Sequence, residues 1–431
     1  MSAVVAGTGL RSVASVGPVG RAAPLAVLDL GTSKVCCFIT RPRHSRGFAL
    51  MGRGYQISDG LKAGEIVDAE AVDASLRAVL HEAEEQAGET LRDIVVTLSG
   101  GAPRSTHVRV SSSLAGRSVD DDDLRRLMRR AHDEVDGEQR SVVHVLPLEV
   151  NIDGGRPLRD PRGMSGQKLE MLAHVVSVRA QTLRDALAAL ARCHLDVKGV
   201  AVASYASGYG CLTEDELDRG CLLLDMGGGT TGIAHFAAGR LALVDQVPYG
   251  GDHVTADLAF GLSTSRVHAE RIKSLYGGVL WRACDDNQRI PVPQIGDHGQ
   301  LPTGEVPRTR LTQIARARVE EIFGLARERL AHAADLLKAC PPRNIVLTGG
   351  ASEIEGAEEL AQEVFRLPAR IGRPDPATGI GADLGPCCAG VAGALTLAAG
   401  DDGGLAWSET RATPPLAQKL TRMGRWLRQN F

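Results

Sequence analysis

Two segments of the 431-residue chain place an aspartate just before a turn of glycine and hydroxyl residues. Residues 221–236 read CLLLDMGGGTTGIAHF, with Asp225 before the turn, and residues 25–40 read LAVLDLGTSKVCCFIT, with Asp29 in the same place. The apolar runs on either side are typical of strands. Glycines let a backbone approach an anion closely, and successive N–H groups with Thr and Ser hydroxyls then bind phosphate oxygens. Both turns are therefore candidate phosphate sites.

The two aspartates would repel a phosphate that they faced directly. A Mg²⁺ ion held with its waters between Asp29 and Asp225 removes that conflict, since carboxylates and waters are the ligands Mg²⁺ prefers. The alternative is that each segment is an ordinary hairpin whose glycine turn only reverses the chain. The repetition of the leading aspartate in both copies favours the phosphate interpretation.

A third glycine cluster follows a predicted strand in NIVLTGGASEIEG, residues 344–356. Its Gly-Gly pair would let a flat base lie against the backbone. Ser352, with Glu355 three residues later, is a candidate N-cap for a following helix. Two phosphate turns and a base-binding turn together predict a nucleotide pocket.

Length and composition limit the elements that can hold these turns. A chain of 431 residues exceeds the size of a single core, so we expect two lobes. The hydrophobic fraction of 43%, the charged fraction of 23% and the net charge of −3 indicate a globular protein with no general affinity for nucleic acid. Nine cysteines without a C-x-x-C pair predict neither a disulfide framework nor a zinc site, but reduced thiols of a cytosolic protein. The longest apolar run, residues 389–399, is too short to span a membrane.

Strands and helices alternate between the two aspartate turns. Strands are predicted at 94–100, 141–152 and 173–180, and helices at 121–136 and 182–195. This alternation predicts a mixed α/β fold. Residues 202–216 are interpreted as a loop that offers only acidic residues as candidates for orienting an attacking water. No such group is identified.

The order of the three turns resembles the nucleotide pocket of the actin, sugar-kinase and heat-shock-chaperone superfamily. Three further segments are similar to the FtsA family of bacterial cell-division proteins: residues 142–176 (VVHVLPLEVNIDGGRPLRDPRGMSGQKLEMLAHVV), residues 250–277 (GGDHVTADLAFGLSTSRVHAERIKSLYG) and the C-terminal helix. The resemblance runs from about residue 22 to the end. It implies an α/β, actin-like two-lobed ATPase fold with an FtsA-type inserted subdomain.

The same resemblance implies a set of ATP- and Mg²⁺-binding residues. The first phosphate loop matches Gly31, Thr32, Ser33 and Lys34, and the second matches Gly227, Gly228, Gly229, Thr230 and Thr231. Asp29 and Asp225 match the aspartates that organise Mg²⁺, here through water. The adenosine side matches Gly349, Gly350, Ala351 and Ile354, and a charged pair beside ribose and adenine matches Glu270 and Lys273. No residue is assigned to catalysis, and we expect at most slow ATP hydrolysis.

The resemblance also implies a division of the chain. The expected parts are a flexible N-terminal tail (1–20), a first lobe (21–99 and 181–212), an inserted subdomain (100–180), a second lobe (213–395, with 251–341 as its small subdomain), a linker (396–413) and an amphipathic membrane-targeting helix (414–431).

Function and partners follow from the family. Its members form actin-like filaments, bind the tubulin-like ring protein FtsZ, here through residues 251–341, and meet other division proteins through the inserted subdomain. The expected location is the inner face of the cytoplasmic membrane at the division septum, with no nucleic-acid partner. The alternative is an ATP-dependent kinase or chaperone of the same superfamily. Against it, the chain shows neither a carboxylate-bearing substrate pocket near the first turn nor a separate substrate domain after the lobes.

The C-terminus supplies an independent prediction. Residues 398–415 are rich in Gly, Asp and Pro and predict a tether. At 100° per residue, the helix that follows gathers an apolar stripe with a tryptophan at its flank: Leu416, Leu420, Met423, Trp426, Leu427 and Phe431. Its basic side chains are Lys419, Arg422, Arg425 and Arg428. This pattern predicts an interfacial helix that binds anionic lipid, and the alternative is a helix docked on the protein body.

Overall fold

Two of the predicted strand pairs form the centres of two separate five-stranded sheets in the structure, which is a computed structural model. It describes residues 24–43, 47–294, 303–338, 340–381 and 383–399. The predicted N-terminal tail and the C-terminal membrane helix lie outside these residues.

The secondary structure alternates as the sequence predicts. The strands are β1 (Leu25–Leu30), β2 (Lys34–Pro42), β3 (Phe48–Ile57), β4 (Leu61–Lys62), β5 (Glu65–Ile66), β6 (Asp93–Leu98), β7 (Arg104–Ser113), β8 (Arg140–Ile152), β9 (Lys168–Arg179), β10 (Asp196–Val202), β11 (Cys221–Met226), β12 (Thr231–Ala237), β13 (Arg240–Val247), β14 (Arg289–Pro293), β15 (Thr303–Pro307), β16 (Asn344–Thr348) and β17 (Ala369–Ile371). The helices are α1 (Ala69–Ala87), α2 (Asp121–Asp133), α3 (Ala180–Arg192), α4 (Ala203–Cys211), α5 (Glu214–Arg219), α6 (Gly251–Gly261), α7 (Arg266–Tyr276), α8 (Arg308–His332), α9 (Ala334–Leu337), α10 (Ala357–Phe365) and α11 (Ala389–Ala399). The mixed α/β prediction is confirmed.

The first sheet has the strand order β10-β6-β1-β2-β3. Strand β1 pairs with β2 in antiparallel fashion, with Asp29 opposite Cys36, and it is parallel to β6. Strand β10 is also parallel to β6. The carboxyl ends of β1, β6 and β10 therefore meet at one edge of the sheet, which is where Asp29 and the start of α4 lie.

The second sheet repeats this arrangement in the order β13-β12-β11-β16-β17. Strand β11 is antiparallel to β12, with Asp225 opposite Gly232, and parallel to β16, with Asp225 opposite Thr348. The first four residues of β11, Cys221–Leu224, are all buried, as expected for a strand covered on both faces. In both sheets an aspartate thus ends a central strand beside a parallel neighbour.

Helices α4 and α11 pack closely against each other. A Cβ atom added to Gly210 would lie 2.0 Å from the carbonyl oxygen of Ala389, and one added to Gly393 would lie 1.6 Å from that of Ala206. Glycine is needed at both positions because any side chain would push the helices apart. The hydrophobic core around them includes residues of both sheets, among them Val96 and Phe236. The two lobes therefore share a core at this helix pair.

A third, antiparallel sheet has the order β7-β9-β8 and packs on α2 with its own apolar core. Helix α2 begins at Asp120, which forms a capping box with Asp123. The sheet also contacts the second lobe, since Ser105 Oγ donates to Val244 O at 3.0 Å and His174 Nδ1 lies 3.0 Å from Leu241 O. The segment between β6 and α3 is thus a separate unit that rests against β13.

Two local predictions are wrong. Residues 202–216 are not a loop, because α4 and the start of α5 occupy them. Ser352 does not cap a helix, since its hydroxyl donates to Gly349 O at 2.7 Å inside a short 3-10 turn. Helix α10 begins instead after Gly356, which has no side chain to act as a cap.

Candidate functional site

The two aspartate-led turns come from different lobes and touch. Gly31 N donates to Lys34 O at 3.1 Å in the first turn, and Gly227 N donates to Thr230 O at 2.9 Å in the second. A Cβ atom on Gly228 would lie 1.6 Å from Ser33 Oγ, so the turns are in direct contact there. A phosphate placed between Ser33 and Gly228 therefore requires the turns to separate.

Asp29 and Asp225 lie half-buried behind these turns, each with a hydroxyl partner. Thr97 Oγ1 donates to Asp29 Oδ1, and Ser207 Oγ donates to Asp225 Oδ2 at 2.7 Å. Burial raises the pKa of Asp29. Burial, together with the nearby charge of Asp29, raises the pKa of Asp225 to about 6. Each carboxylate is thus held in an environment that disfavours its charge.

This electrostatic situation suits a cation. Two half-buried carboxylates with neutral hydroxyl partners would gain from a positive ion beside them, and Lys34 supplies that charge only in part. No group of three or more His, Cys, Asp or Glu side chains in the described part of the chain could hold a metal ion by itself. Asp29 and Asp225 would suit a Mg²⁺ ion that keeps most of its waters, as the sequence predicts.

The hydroxyl residues of the turns have protein partners in this state. Thr32 Oγ1 accepts from Gly64 N at 2.9 Å, and Thr230 Oγ1 donates to Ser99 O at 3.0 Å. Thr231 Oγ1 donates to Tyr249 O at 2.8 Å and is fully buried. Thr32 and Thr230 lie in the turns, whereas Thr231 already belongs to β12. Thr231 therefore ties the start of β12 to the segment that follows β13.

Lys34 begins β2, and its ammonium group points toward two thiols. Its Nζ lies 3.8 Å from Cys388 Sγ and 5.7 Å from the centre of the Tyr55 ring. In this state the cation is therefore paired with sulfur and an aromatic face. A phosphate in the first turn would compete for it.

The third glycine cluster adjoins Asp225. Gly349 has φ of 82°, and a Cβ atom there would lie 2.5 Å from Met226 O and 2.6 Å from Asp225 Oδ1. Glycine is required by both the backbone conformation and this close approach. Gly350 is open on its Cβ side except for Cys387, and Ile354 is packed in the core of the second lobe.

The predicted charged pair on α7 reaches the same region. Lys273 Nζ donates to Glu270 Oε2 at 2.7 Å, to Thr255 Oγ1 at 2.8 Å and to Gly251 O at 3.1 Å. A Cβ on Gly251 would in turn lie 3.0 Å from Ala351 Cβ. The structure therefore brings Glu270 and Lys273 beside the turn that holds Ala351.

Several residues of the site were not identified from the sequence. Gly251 N and Asp252 N donate to Gly227 O and Gly228 O at 2.9 Å, so α6 starts at the second turn, and Ser33 Oγ donates to Asp252 Oδ1 at 3.0 Å. The Gly-Gly-Asp of residues 250–252, between a strand and a helix, is a signal that could have indicated this contact. Thr97 and Ser207 gave no such signal, because single hydroxyl residues at strand and helix ends are common.

Helix α4 places a second serine beside Asp225. Ser204 is 2% exposed, its Oγ has no hydrogen-bond partner, and its Cβ would lie 2.8 Å from a Cβ on Gly232, the residue opposite Asp225. The segment that was interpreted as a loop therefore contributes hydroxyl groups to the site. Of the helices the structure describes, none is both long and apolar enough to cross a bilayer.

Comparisons with known proteins agree with this architecture. A family model described as "Cell division protein FtsA" matches residues 222–385, and one described as "SHS2 domain inserted in FTSA" matches residues 100–177. The cell division protein FtsA of Agrobacterium fabrum is 35% identical over 421 residues, which cover 94% of this chain and 95% of that protein.

Solved structures support the same fold. The PilM-PilN type IV pilus biogenesis complex matches with a TM-score of 0.62 and 17% identity, covering 88% of this chain and 99% of that one. MreB5 of Spiroplasma citri bound to ADP matches with a TM-score of 0.52 and 14% identity, covering 87% and 95%. The predicted actin-like two-lobed fold with an inserted subdomain is confirmed.

Proposed function

The chain belongs to the FtsA family of cell division proteins, and from this premise we propose that it binds Mg-ATP, polymerises on the inner face of the cytoplasmic membrane and tethers the FtsZ ring there. It thereby acts at the division septum. The predicted domain boundaries and nucleotide-binding residues are part of this proposal.

The observation that carries the nucleotide part is the convergence of Asp29 and Asp225 from the two sheets. Desolvation raises the pKa of both carboxylates, and the nearby charge of Lys34 offsets this only in part. A Mg²⁺ ion with the phosphates of ATP would supply the missing positive charge, and a ligand that contacts both turns after they separate would link the lobes. The solved MreB5 structure, which has a similar fold, is described as bound to ADP, and this supports a nucleotide ligand for the present chain.

The surface of the segment 251–341 supports a protein partner there. Phe260 at the end of α6 is 90% exposed, Val267 on α7 is 78% exposed, and Leu275 and Trp281 are also exposed. Large apolar side chains in contact with water are a feature of protein interaction sites. The partner proposed for this surface is FtsZ.

The alternative, a kinase or chaperone of the same superfamily, is less well supported. Fold does not decide function, because actin-like lobes occur in proteins with different activities. The match to FtsA proteins over 94% of this chain, including the inserted subdomain, favours the division protein.

Co-sedimentation of the purified chain with FtsZ filaments tests the proposal. The unchanged protein is expected to pellet with FtsZ, and Phe260→Ser with Val267→Ser is expected to reduce that pelleting at least fivefold while leaving ATP binding intact. The matched control is Ile57→Ser, since Ile57 is 84% exposed but lies in the first lobe. If neither the unchanged chain nor the control pellets with FtsZ, the tether is excluded.

A further inference from the structure

Two adjacent cysteines lie where the candidate nucleotide site meets α11. Cys387 and Cys388 end the short turn Pro386–Cys388, and α11 begins at the next residue. A Cβ atom on Gly350 would lie 3.7 Å from Cys387 Cβ, so the pair borders the turn proposed to hold the base. Cys387 is partly exposed, whereas Cys388 is buried.

The two sulfur atoms contact each other and a cation. Cys388 Sγ lies 3.8 Å from Cys387 Sγ, 3.8 Å from Lys34 Nζ and 3.8 Å from Tyr55 Oη. The charge of Lys34 also acts on Cys387 and favours its thiolate. The partly exposed thiol therefore has a hydrogen-bond donor and an ammonium group beside it.

This environment shifts the pKa values of the two thiols in opposite directions. The hydrogen bond from Cys388, together with the charge of Lys34, lowers the pKa of Cys387 to about 6 against the effect of burial. The same hydrogen bond and burial raise the pKa of Cys388. The start of α11 adds a favourable dipole for an anion at this position. The arrangement thus favours the thiolate at Cys387 over the thiolate at Cys388.

We propose that Cys387 and Cys388 form an oxidant-sensitive dithiol, in which the Cys387 thiolate reacts with a peroxide and the Cys388 thiol resolves the product. The Cys387 sulfur attacks one oxygen of hydrogen peroxide, the O–O bond breaks, hydroxide leaves, and a sulfenic acid remains. The Cys388 sulfur then attacks the Cys387 sulfur, a disulfide forms, and the departing hydroxide takes the Cys388 proton as water. The thiol pair loses two electrons and the peroxide gains two.

The resulting disulfide would be reversible. The Cα atoms of neighbouring residues are about 3.8 Å apart across a trans peptide, which is closer than the separation that most disulfides adopt. A strained disulfide is reduced readily, as expected of a switch and not of a structural crosslink. Oxidation also removes the anionic partner of Lys34, and thereby changes the charge beside the first turn.

Alkylation of the full-length, nucleotide-free protein tests the thiolate. Iodoacetamide at pH 7, with each cysteine followed by peptide mass spectrometry, is expected to modify Cys387 at least about tenfold faster than Cys340, which is also partly exposed. Lys34→Met is expected to remove most of this difference, and Lys34→Arg to retain it. Equal rates at Cys387 and Cys340 in the unchanged protein would overturn the proposal.

Peroxide treatment tests the second step. The peptide that contains both cysteines is expected to lose two hydrogens, and dithiothreitol should restore them. Cys388→Ser is expected instead to accumulate a sulfenic acid at Cys387 that dimedone traps, while Cys340→Ser behaves as the unchanged protein. Sulfenic acid that accumulates equally with and without Cys388 would exclude its resolving role.

The link to the nucleotide rests on the proposed function. Mg-ATP is expected to slow the alkylation of Cys387 severalfold, because phosphate competes for Lys34. If Cys387 is reactive but Mg-ATP gives no protection, the nucleotide assignment fails while the dithiol chemistry stands. If Cys387 is unreactive in a protein that binds Mg-ATP, the dithiol proposal fails while the nucleotide assignment stands.

Discussion

Ser207 donates a 2.7 Å hydrogen bond to Asp225, and this bond connects the helix that follows the first sheet to the central strand of the second. Ser207 lies on α4, which packs on α11, and Asp225 is the penultimate residue of β11, at the candidate metal site. The surroundings of Asp225 therefore include a side chain that follows the first sheet as well as those of its own sheet.

Asp225→Asn is expected to stabilise the nucleotide-free protein while weakening its binding of Mg-ATP. The folded state raises the pKa of Asp225 to about 6, so its contribution to stability is full below the unfolded pKa near 4 and is lost as the pH rises toward 6. The substitution removes a cost of about 3 kcal/mol above pH 6. Differential scanning calorimetry at pH 7.5 should show a Tm raised by roughly 2–4 °C.

The pH dependence supplies the control for this prediction. At pH 4 the Tm difference between Asp225→Asn and the unchanged protein should largely vanish, because Asp225 is then protonated in the folded state. Asp245→Asn, in β13 of the same sheet, should leave the Tm unchanged within error at both pH values. A Tm of Asp225→Asn that is lowered at pH 7.5 would contradict the buried-charge explanation.

Gly228→Asp is expected to abolish binding of a fluorescent ATP analogue. The carboxylate would occupy the place proposed for phosphate, where its charge repels the ligand. Its Cβ would also meet Ser33 Oγ at 1.6 Å. Gly228→Ala separates these effects, because it adds the Cβ without the charge, and it should weaken binding less. Gly137→Asp is the matched control, since no atom lies within 4 Å of a Cβ there. Unchanged affinity of Gly228→Asp would exclude the pocket.

Lys273→Met is expected to weaken binding of the ATP analogue about tenfold. Lys273 holds Glu270, Thr255 and Gly251 O together beside Ala351, and loss of hydrogen bonds to a charged group costs about 1.5 kcal/mol. Lys338→Met is the matched control. Lys338 forms the same kind of i,i+3 ion pair, with Asp335, but on an exposed surface that is not part of the candidate site. Isothermal titration calorimetry of both variants tests the prediction, and equal affinities would remove Lys273 from the site.

Short-range patterns were sufficient to predict much of this molecule. The strands around Asp29 and Asp225 follow from apolar runs of the right length, and the start of α2 follows from the acidic residues after Asp120. The fold itself required the resemblance to a known family. Sequence patterns identified the turns but did not determine how the turns meet.

The contacts between distant segments could not be predicted from such patterns. Ser207 meets Asp225 only because α4 packs on α11 through Gly210 and Gly393. The error at residues 202–216 has a related cause: α4 is buried on nearly every side, so it lacks the polar face by which amphipathic helices are identified. Lys34 was assigned to phosphate, and its thiol partner lies 354 residues away.

The C-terminal helix predicted at residues 414–431 lies outside the described residues, and the prediction for it rests on the sequence. No acidic residue follows Glu409, while Lys419, Arg422, Arg425 and Arg428 provide four positive charges near an apolar stripe. Each basic residue contributes about 1 kcal/mol near an anionic surface, in addition to apolar burial. One helix would thus bind reversibly, and a filament that carries many would bind firmly.

Deletion of residues 414–431, or Trp426→Glu with Leu427→Glu, is expected to release the protein from anionic liposomes while ATP binding stays intact. The double substitution places carboxylates on the apolar stripe, where insertion into the headgroup boundary would bury them. Gln418→Glu with Gln429→Glu is the matched control, since it adds the same charge to the opposite, polar face of the same helix and should reduce liposome binding far less. Flotation with liposomes that contain phosphatidylglycerol measures the bound fraction. Persistent binding by the truncated chain would show that another part of the protein is the anchor, and equal loss in both double variants would show that net charge, and not insertion of Trp426 and Leu427, holds the helix at the membrane.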